Sequence, residues 1–428
     1  MAVGRSSSEV ARTVERLIGP DLAIAVETYD GGRLGPVDAP ATLVLRSPDA
    51  LRRILTAPGE LGVGRAYVAG DLDVRGDVYA ALIALRERLP EVRMGPTQLA
   101  ALVRLVGTRD LRPLPAPPEE ARLRGRRHSR RRDAAAIAHH YDVSNRFYEL
   151  VLGPSMTYSC AVWEGPDLTL ENAQAAKYEL ICRKLALRPG VRLLDVGCGW
   201  GGMAVHAAEH HGARVVGVTL SRRQVEWAQK AVAGAGLADR VEIRFQDYRD
   251  VRDGPFDAVS SIGMFEHVGL RNLSLYFRHL HRLLRPEGRL LNHGISRPAR
   301  VGGHTRRGVP VTPSRLQRRS FVDRYVFPDG ELHEVGAAVS TMQAAGFEVR
   351  HLETLREHYG LTLRAWVSNL EANWEEAARE AGEARARIWR LYMAASALNF
   401  QAGRTQVHQV LAVKAPKGRS GFPLRPPF

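Results

Sequence analysis

The chain carries two kinds of hydrophobic pattern. From Met1 to about Asp110, short strand-like runs (LAIAVETYD, ATLVLRS) mix with helical pieces such as DALRRILTA, and Asp30-Gly31-Gly32 between two such runs reads as a turn. From about Asp133 onward, compact apolar runs (RLLDVG, ARVVGVTL, RVEIRF, FDAVSSIG, GRLLNHGI) alternate with amphipathic stretches such as SRRQVEWAQKAVAGAG and LSLYFRHLHRLLRPEG. Short continuous apolar runs are what strands buried on both faces need, and their alternation with helices predicts an α/β fold, a doubly wound and mostly parallel sheet. Between the two regions lies LRPLPAPPEE, with four prolines in the six residues from Pro113 to Pro118, followed by RLRGRRHSRRRD. Proline stiffens such a segment. The expected organisation is therefore a smaller α+β domain over 1–112, a linker over 113–132 and the α/β domain over 133–428.

The first strand of the larger domain runs into Asp195-Val-Gly-Cys-Gly-Trp-Gly-Gly202. In such sheets ligands bind at the carboxyl ends of the strands, and glycines leave room for a ligand against the backbone. A phosphate loop would end in GK[ST] and a dinucleotide loop would read GxGxxG. This GxGxGG, with an acid two residues before the first glycine, resembles motif I of the class I, Rossmann-like S-adenosylmethionine-dependent methyltransferases. The next strand ends in Gly217-Val-Thr-Leu-Ser221 followed by Gln224, whose hydroxyl and amide groups suit a ribose or an amino-acid group. The third ends in Gln246-Asp247-Tyr248, where an amide or carboxylate can accept from an adenine amino group.

Composition narrows the setting. With 61 Lys+Arg against 46 Asp+Glu the net charge is +15, which favours polyanionic surfaces, nucleic acid or an anionic lipid leaflet. The charge concentrates in seven arginines between Arg122 and Arg132 and in a second spread from Arg297 to Arg324. Neither is interleaved with aromatics as in single-strand binders. The signatures of nucleic-acid methyltransferases, a Pro-Cys nucleophile or an NPPY-type pocket, are missing from the sequence, so no nucleic-acid partner is expected. No apolar run approaches the length of a membrane span, and the N-terminus lacks a signal-peptide core. A cytoplasmic protein, peripheral on the inner face of the membrane, is the expectation. Cys160, Cys182 and Cys198 have no CxxC spacing, so neither a disulfide framework nor a zinc site is predicted.

The segments HHYDVSNRFYELVLGPSMTYSCAVW, DVGCGWGG, GVTLS, SIGMFEHVG, NHGIS and HYGLTLRAW, spread over roughly Ile137 to Val413, resemble the cyclopropane-fatty-acyl-phospholipid synthase family. PDALRRILTAPGELGVGRAYVAGDLDV resembles the N-terminal extension of its phospholipid-acting members. The resemblance implies methyl transfer from S-adenosylmethionine to the double bond of a phospholipid acyl chain, through a carbocation, with bound bicarbonate as the base. It implies bicarbonate ligands at Glu266, His293 and Tyr359 through side chains, and at Cys160 and Ile295 mainly through backbone. Cofactor contacts are implied at Tyr158, Ser159, Gly197, Gly199, Thr219, Gln224, Gln246 and Asp247, beside Asp195 of the glycine-rich turn. Tyr158, Trp163 or Phe265 would offer ring faces to the cation. Taken alone, Glu266 suits a helix entry and His293 a core position. The cation can close a cyclopropane or, after a hydride shift, leave a 10-methylene chain. The sequence resembles the actinobacterial relatives that make the methylene, precursor of tuberculostearic acid, with Asp30-Gly31 and Glu149 closest to that branch. The methylene product is the reading adopted, the ring its alternative. A homodimer docked on an anionic bilayer, and a separate reductase if the product is a methylene, complete the expectation.

Overall fold

The computed structural model describes residues 8–19, 22–88, 96–106, 112–121, 123, 125–141, 143–165, 167–299 and 320–428. It divides into two compact units. One comprises residues up to 122, the described part of 314–326, and 381–395; the other comprises the described parts of 123–313, with 327–380 and 396–428. The boundary expected at residue 112 thus moves past the prolines, and two later segments join the first unit.

The first unit is α+β. Its sheet has the order β2-β1-β3-β4, from Ala25–Glu27 (β1), Arg33–Leu34 (β2), Ala41–Leu45 (β3) and Leu72–Gly76 (β4). The turn at Asp30 joins β1 to β2 as an antiparallel hairpin, while β3 lies parallel to β1 on its other side. The strand after the turn is thus shorter and earlier than the apolar run suggested. Asp30 accepts from the Val10 N–H at 3.2 Å and the Thr28 hydroxyl at 2.6 Å, so it ties the turn to the start of the helix Glu9–Ile18. That is a helix-terminus role. Later segments complete the unit: Arg65 forks onto Glu120 with two 2.8 Å bonds, and the Phe321 ring lies where a Cβ on Gly64 would sit 2.3 Å away.

The second unit is the α/β domain. Its seven strands run in the order β10-β11-β9-β8-β5-β6-β7. They are Arg192–Val196 (β5), Arg214–Thr219 (β6), Val241–Phe245 (β7), Phe256–Ile262 (β8), Leu284–Ser296 (β9), Glu348–Thr354 (β10) and Gln406–Val413 (β11). Strands β5 to β9 are mutually parallel, and β11 enters antiparallel between β9 and β10. The sequence pattern reveals the five parallel strands. It does not reveal β10, whose EVRHLET is mostly half-exposed, nor β11 at the far end of a long helical stretch. Each central strand feeds two cores. Leu193 and Val215 pack with the helices Leu170–Leu185, Gly202–His211 and Arg222–Gly234, while Leu194, Val196 and Val259 pack with Leu270–Leu283 and Val335–Ala344. Burial on both faces explains the continuous apolar runs.

Phe321 is 3% exposed against Gly64. Phe321→Ala should cost about 3 kcal/mol, the usual range for emptying an aromatic site. Faster hydrogen exchange across the helix Glu60–Val68 would show it; unchanged protection there would contradict this packing.

Candidate active site

A cavity opens at the carboxyl ends of β5, β6, β7 and β8, and the first three strand ends each contribute a polar group. Asp195, next to last in β5, accepts from the Ser260 hydroxyl at 2.7 Å through Oδ1, while its buried Oδ2 has no partner. Burial raises its carboxyl to about 6, against the pull of Lys177. Gly197 has φ +74°, and a Cβ there would stand 2.4 Å from the Met264 side chain; Gly199 has φ +55° with open space beyond it. These two positions need glycine, one for fit and both for backbone conformation. Thr219, at the end of β6, donates to the Gln224 side chain at 2.7 Å, and Ser221 caps the helix Arg222–Gly234. Gln246 lines the cavity beyond β7, as do Tyr158 and Ser159 on a preceding loop. An unpartnered buried carboxylate oxygen, open space above a glycine, and an amide and hydroxyl on adjacent strand ends fit a nucleoside that carries a positive charge.

Asp247 does not line this cavity. Its carboxylate caps the short turn Tyr248–Asp250 and is forked by Arg249 at 2.7 to 3.1 Å, so Gln246 is left as the polar group at that strand end.

Beside the cavity the structure gathers buried ionisable groups. Glu266, in the four-residue helix Phe265–Val268, accepts from the Ile295 N–H at 2.5 Å through Oε1, while its buried Oε2 is unpartnered. Burial pushes its carboxyl up to about 7. His293, two residues earlier on β9, is 2% exposed with an unpartnered Nε2, and burial followed by Lys177 lowers its imidazole to about 3. The Lys177 ammonium donates to Ser159 Oγ at 2.8 Å, stands 4.0 Å from the centre of the Tyr178 ring, and is pushed down to about 7 by burial. Its charge is felt at Asp195, Cys160 and His293 alike. Cys160 and Tyr359 meet at the Leu355 carbonyl, which the thiol approaches at 3.6 Å and the Tyr359 N–H at 3.1 Å. Burial raises the thiol far above its ordinary range, which removes it as a nucleophile. Tyr359 packs on Phe400 at 4.6 Å and Trp366 at 6.0 Å, and Trp366 also touches Tyr158 at 5.3 Å.

Other expected residues fall elsewhere. Glu149 lies on the outer side of the helix Asn145–Leu152, paired with Arg146 at 2.7 Å. Phe147, Tyr148, Leu150 and Val151 take the buried face, which leaves 146 and 149 outward at i,i+3. Trp163 donates its indole N–H to Thr362 at 3.1 Å, and Phe265 packs against the His333 ring. Within the first arginine cluster, Arg127 and Arg132 both close on the buried Asp329 and Arg130 on Asp250 at 2.7 Å, whereas Arg126 and Arg131 are exposed. Much of the second cluster lies outside the described residues.

The sequence reading did not find Lys177, Lys184, Gln174 or Trp366. The signal lay in LENAQAAKYELICRKL: Gln174, Lys177 and Lys184 fall on the same helical stripe as Leu170 and Ile181, and all three polar residues are 0% exposed. Nor does cysteine spacing reveal that Cys182 Sγ lies within 4.8 Å of ring nitrogens of His206 and His211; the Glu179 carboxylate reaches both imidazoles, at 3.6 and 2.9 Å.

Residues 128–410 match the family described as mycolic acid cyclopropane synthetase. Over 409 residues the chain is 49% identical to the probable fatty acid methyltransferase Rv3720 of Mycobacterium tuberculosis, covering 93% of each. Over 377 residues it is 34% identical to the cyclopropane-fatty-acyl-phospholipid synthase of Escherichia coli K12, covering 87% of this chain and 88% of that one. Among solved structures, the mycolic acid cyclopropane synthase CmaA1 complexed with SAH and CTAB superposes with a TM-score of 0.61 at 35% identity, over 66% of this chain and 98% of that one. The cyclopropane synthase MmaA2 of Mycobacterium tuberculosis does so with the same score at 32% identity, over 66% and 98%.

Between pH 4.5 and 7 the folded chain keeps a proton on Glu266 that the unfolded chain has released, so this group's contribution to stability falls as pH rises through that window. Glu266→Gln should therefore gain on the parent by on the order of 2 kcal/mol between pH 5 and pH 8 in ligand-free urea melts. A constant difference between the two proteins would show that this carboxyl is not titrating in that window.

Proposed function

The chain belongs to the mycolic acid cyclopropane synthetase family, and we propose that it uses S-adenosylmethionine to methylate the double bond of an unsaturated acyl chain carried on a phospholipid. The observation that carries this reading is the pair of unpartnered buried atoms, Glu266 Oε2 and His293 Nε2, the latter within the field of Lys177, beside the cavity at the strand ends. S-adenosylmethionine supplies an electrophilic methyl carbon, which an alkene can attack to leave a cation in its chain.

The residues of this chain then have four tasks. Asp195, the turn at Gly197 and Gly199, the Thr219–Gln224 pair and Gln246 hold the nucleoside. Tyr158, in contact with Trp366, presents an aromatic face to developing positive charge. Glu266, His293 and the backbone near Cys160 and Ile295 hold a small oxyanion, read as bicarbonate, with Tyr359 completing the set. A weak base held in that position can take the proton that the cation must lose. With its pKa near neutrality, Glu266 can donate from Oε2 to such an anion while Oε1 keeps the Ile295 N–H. An anion beside Lys177 would in turn raise that lysine's pKa and hold its charge. Burial of Glu266, His293, Cys160, Tyr359 and Lys177 excludes the water that would capture the cation.

Two comparisons support a phospholipid-borne acyl chain as the substrate. Relatives that match nearly the whole chain, through its first unit, include a probable fatty acid methyltransferase and a cyclopropane-fatty-acyl-phospholipid synthase, whereas the match to the mycolic acid cyclopropane synthase covers about two thirds of it. The chain is more similar to the fatty acid methyltransferase, 49% identical, than to the cyclopropane synthase, 34% identical; the 10-methylene chain is the product proposed and the ring the second reading. Among the described residues no helix is long and apolar enough to cross a membrane. Docking on anionic lipid is assigned to exposed arginines such as Arg126 and Arg131.

Purified protein incubated with methyl-labelled S-adenosylmethionine and oleoyl phospholipid vesicles should add one CH2 unit to the acyl chain, and Glu266→Ala should lose on the order of 100-fold in rate. Olefinic methylene protons in the product support the branch, and high-field ring protons support the cyclopropane. No incorporation, or a Glu266→Ala protein equal to the parent, refutes the reading. Separately, Arg126→Glu/Arg131→Glu should reduce sedimentation with anionic vesicles at low salt while leaving neutral vesicles unaffected; undiminished sedimentation places the docking surface elsewhere.

A further inference from the structure

The buried stripe of the helix Leu170–Leu185 continues past the cavity, and its last polar member reaches the site from behind. Lys184 is 0% exposed. Its ammonium contacts the Glu353 carboxylate and donates to Gln409 Oε1 at 2.6 Å. Gln409, on β11, is also 0% exposed and lies opposite His293 of β9 in the antiparallel register. Its Nε2 stands 3.3 Å from His293 Nδ1.

Donor and acceptor chemistry fixes the rest. A lysine ammonium has only donors, so the oxygen of the Gln409 amide must face Lys184 and the NH2 must face His293. An amide NH2 can only donate, so His293 Nδ1 must accept. The neutral imidazole then carries its one hydrogen on Nε2, the buried atom that has no partner in the protein. A buried lysine must be paired and hydrogen-bonded to stay charged, and here it also orients the amide beside His293.

We propose that Lys184 and Gln409 are positioning residues that lock His293 in its Nε2–H tautomer, so that the site offers a hydrogen-bond donor, and not an acceptor, to the oxyanion. This rests on the reading of His293 as an oxyanion ligand, but the tautomer can be measured without substrate. Reversing the relay takes one nearly isosteric change. In Gln409→Glu, one carboxylate oxygen keeps Lys184 and the other must receive a hydrogen, which moves the imidazole proton to Nδ1 and turns Nε2 into an acceptor that repels an anion.

Long-range 1H–15N spectra of 15N-histidine-labelled protein, with His293 assigned from its loss in His293→Gln, should show a protonated Nε2 and a bare Nδ1 in the full chain between pH 6 and 8. In Gln409→Glu the two nitrogens should exchange roles. The turnover number on oleoyl phospholipid should then fall at least 10-fold, while the KM for S-adenosylmethionine changes less than twofold. A hydrogen on Nδ1 in the parent overturns the proposal with no variant needed. Unchanged nitrogens in Gln409→Glu, or exchanged nitrogens with undiminished turnover, overturn it as well. A parent with the Nε2 hydrogen that methylates no olefin supports the relay and counts against the substrate assignment alone.

Discussion

The constraint that shapes this site is the removal of ionisable groups from water, and a lysine beside the cavity carries it furthest. Lys177 is fully buried, with Ser159 Oγ as its hydrogen-bond acceptor and the Tyr178 ring beneath it. A positive charge in such a place is poorly solvated, and the deficit can be made good by a negative ligand or by loss of the proton. The neighbours share that burial. It keeps the His293 imidazole neutral, with Lys177 acting in the same direction, and it holds the Cys160 thiol protonated and the Asp195 and Glu266 carboxyls closer to neutrality than in water, at Cys160 and Asp195 against the pull of Lys177. An anion taken up beside Lys177 would supply that negative partner.

The sheet makes this arrangement possible. Parallel strands deliver Asp195, Thr219 and Gln246 to one edge, where a nucleoside can lie across them. The antiparallel insertion of β11 does something the parallel part cannot. It places Gln409 directly beside His293 and so connects the helix Leu170–Leu185, on one face of the sheet, to the strand that carries the imidazole. That helix also donates from Gln174 to the Ser159 carbonyl at 3.0 Å, so one buried stripe braces both the loop of Tyr158 to Cys160 and the His293 strand.

Sequence alone revealed what depends on local pattern and on motif. The parallel strands follow from apolar runs buried on both faces, and the glycine turn from its positive-φ requirement at Gly197 and Gly199. Other features were illegible because they are settled by partners distant in the chain. Asp247 is diverted by Arg249, and Glu149 is turned outward by the apolar residues on either side of it. The arginine cluster reads as one basic patch in sequence, but Asp329 and Asp250 take three of its charges. Lys177 and Lys184 were hidden for a simpler reason: a lysine in an amphipathic helix is ordinarily on the wet face, and only the phase of the stripe distinguishes these two.

The central property of this site is whether the residues Glu266 and His293 and their neighbours take up an oxyanion. Carbon-13 spectra of labelled bicarbonate, titrated with the purified chain, test this without any lipid. A bound resonance that saturates with the parent and is lost in Glu266→Ala is the predicted result. An unperturbed bicarbonate signal with the parent, or one shifted equally by both proteins, would contradict it.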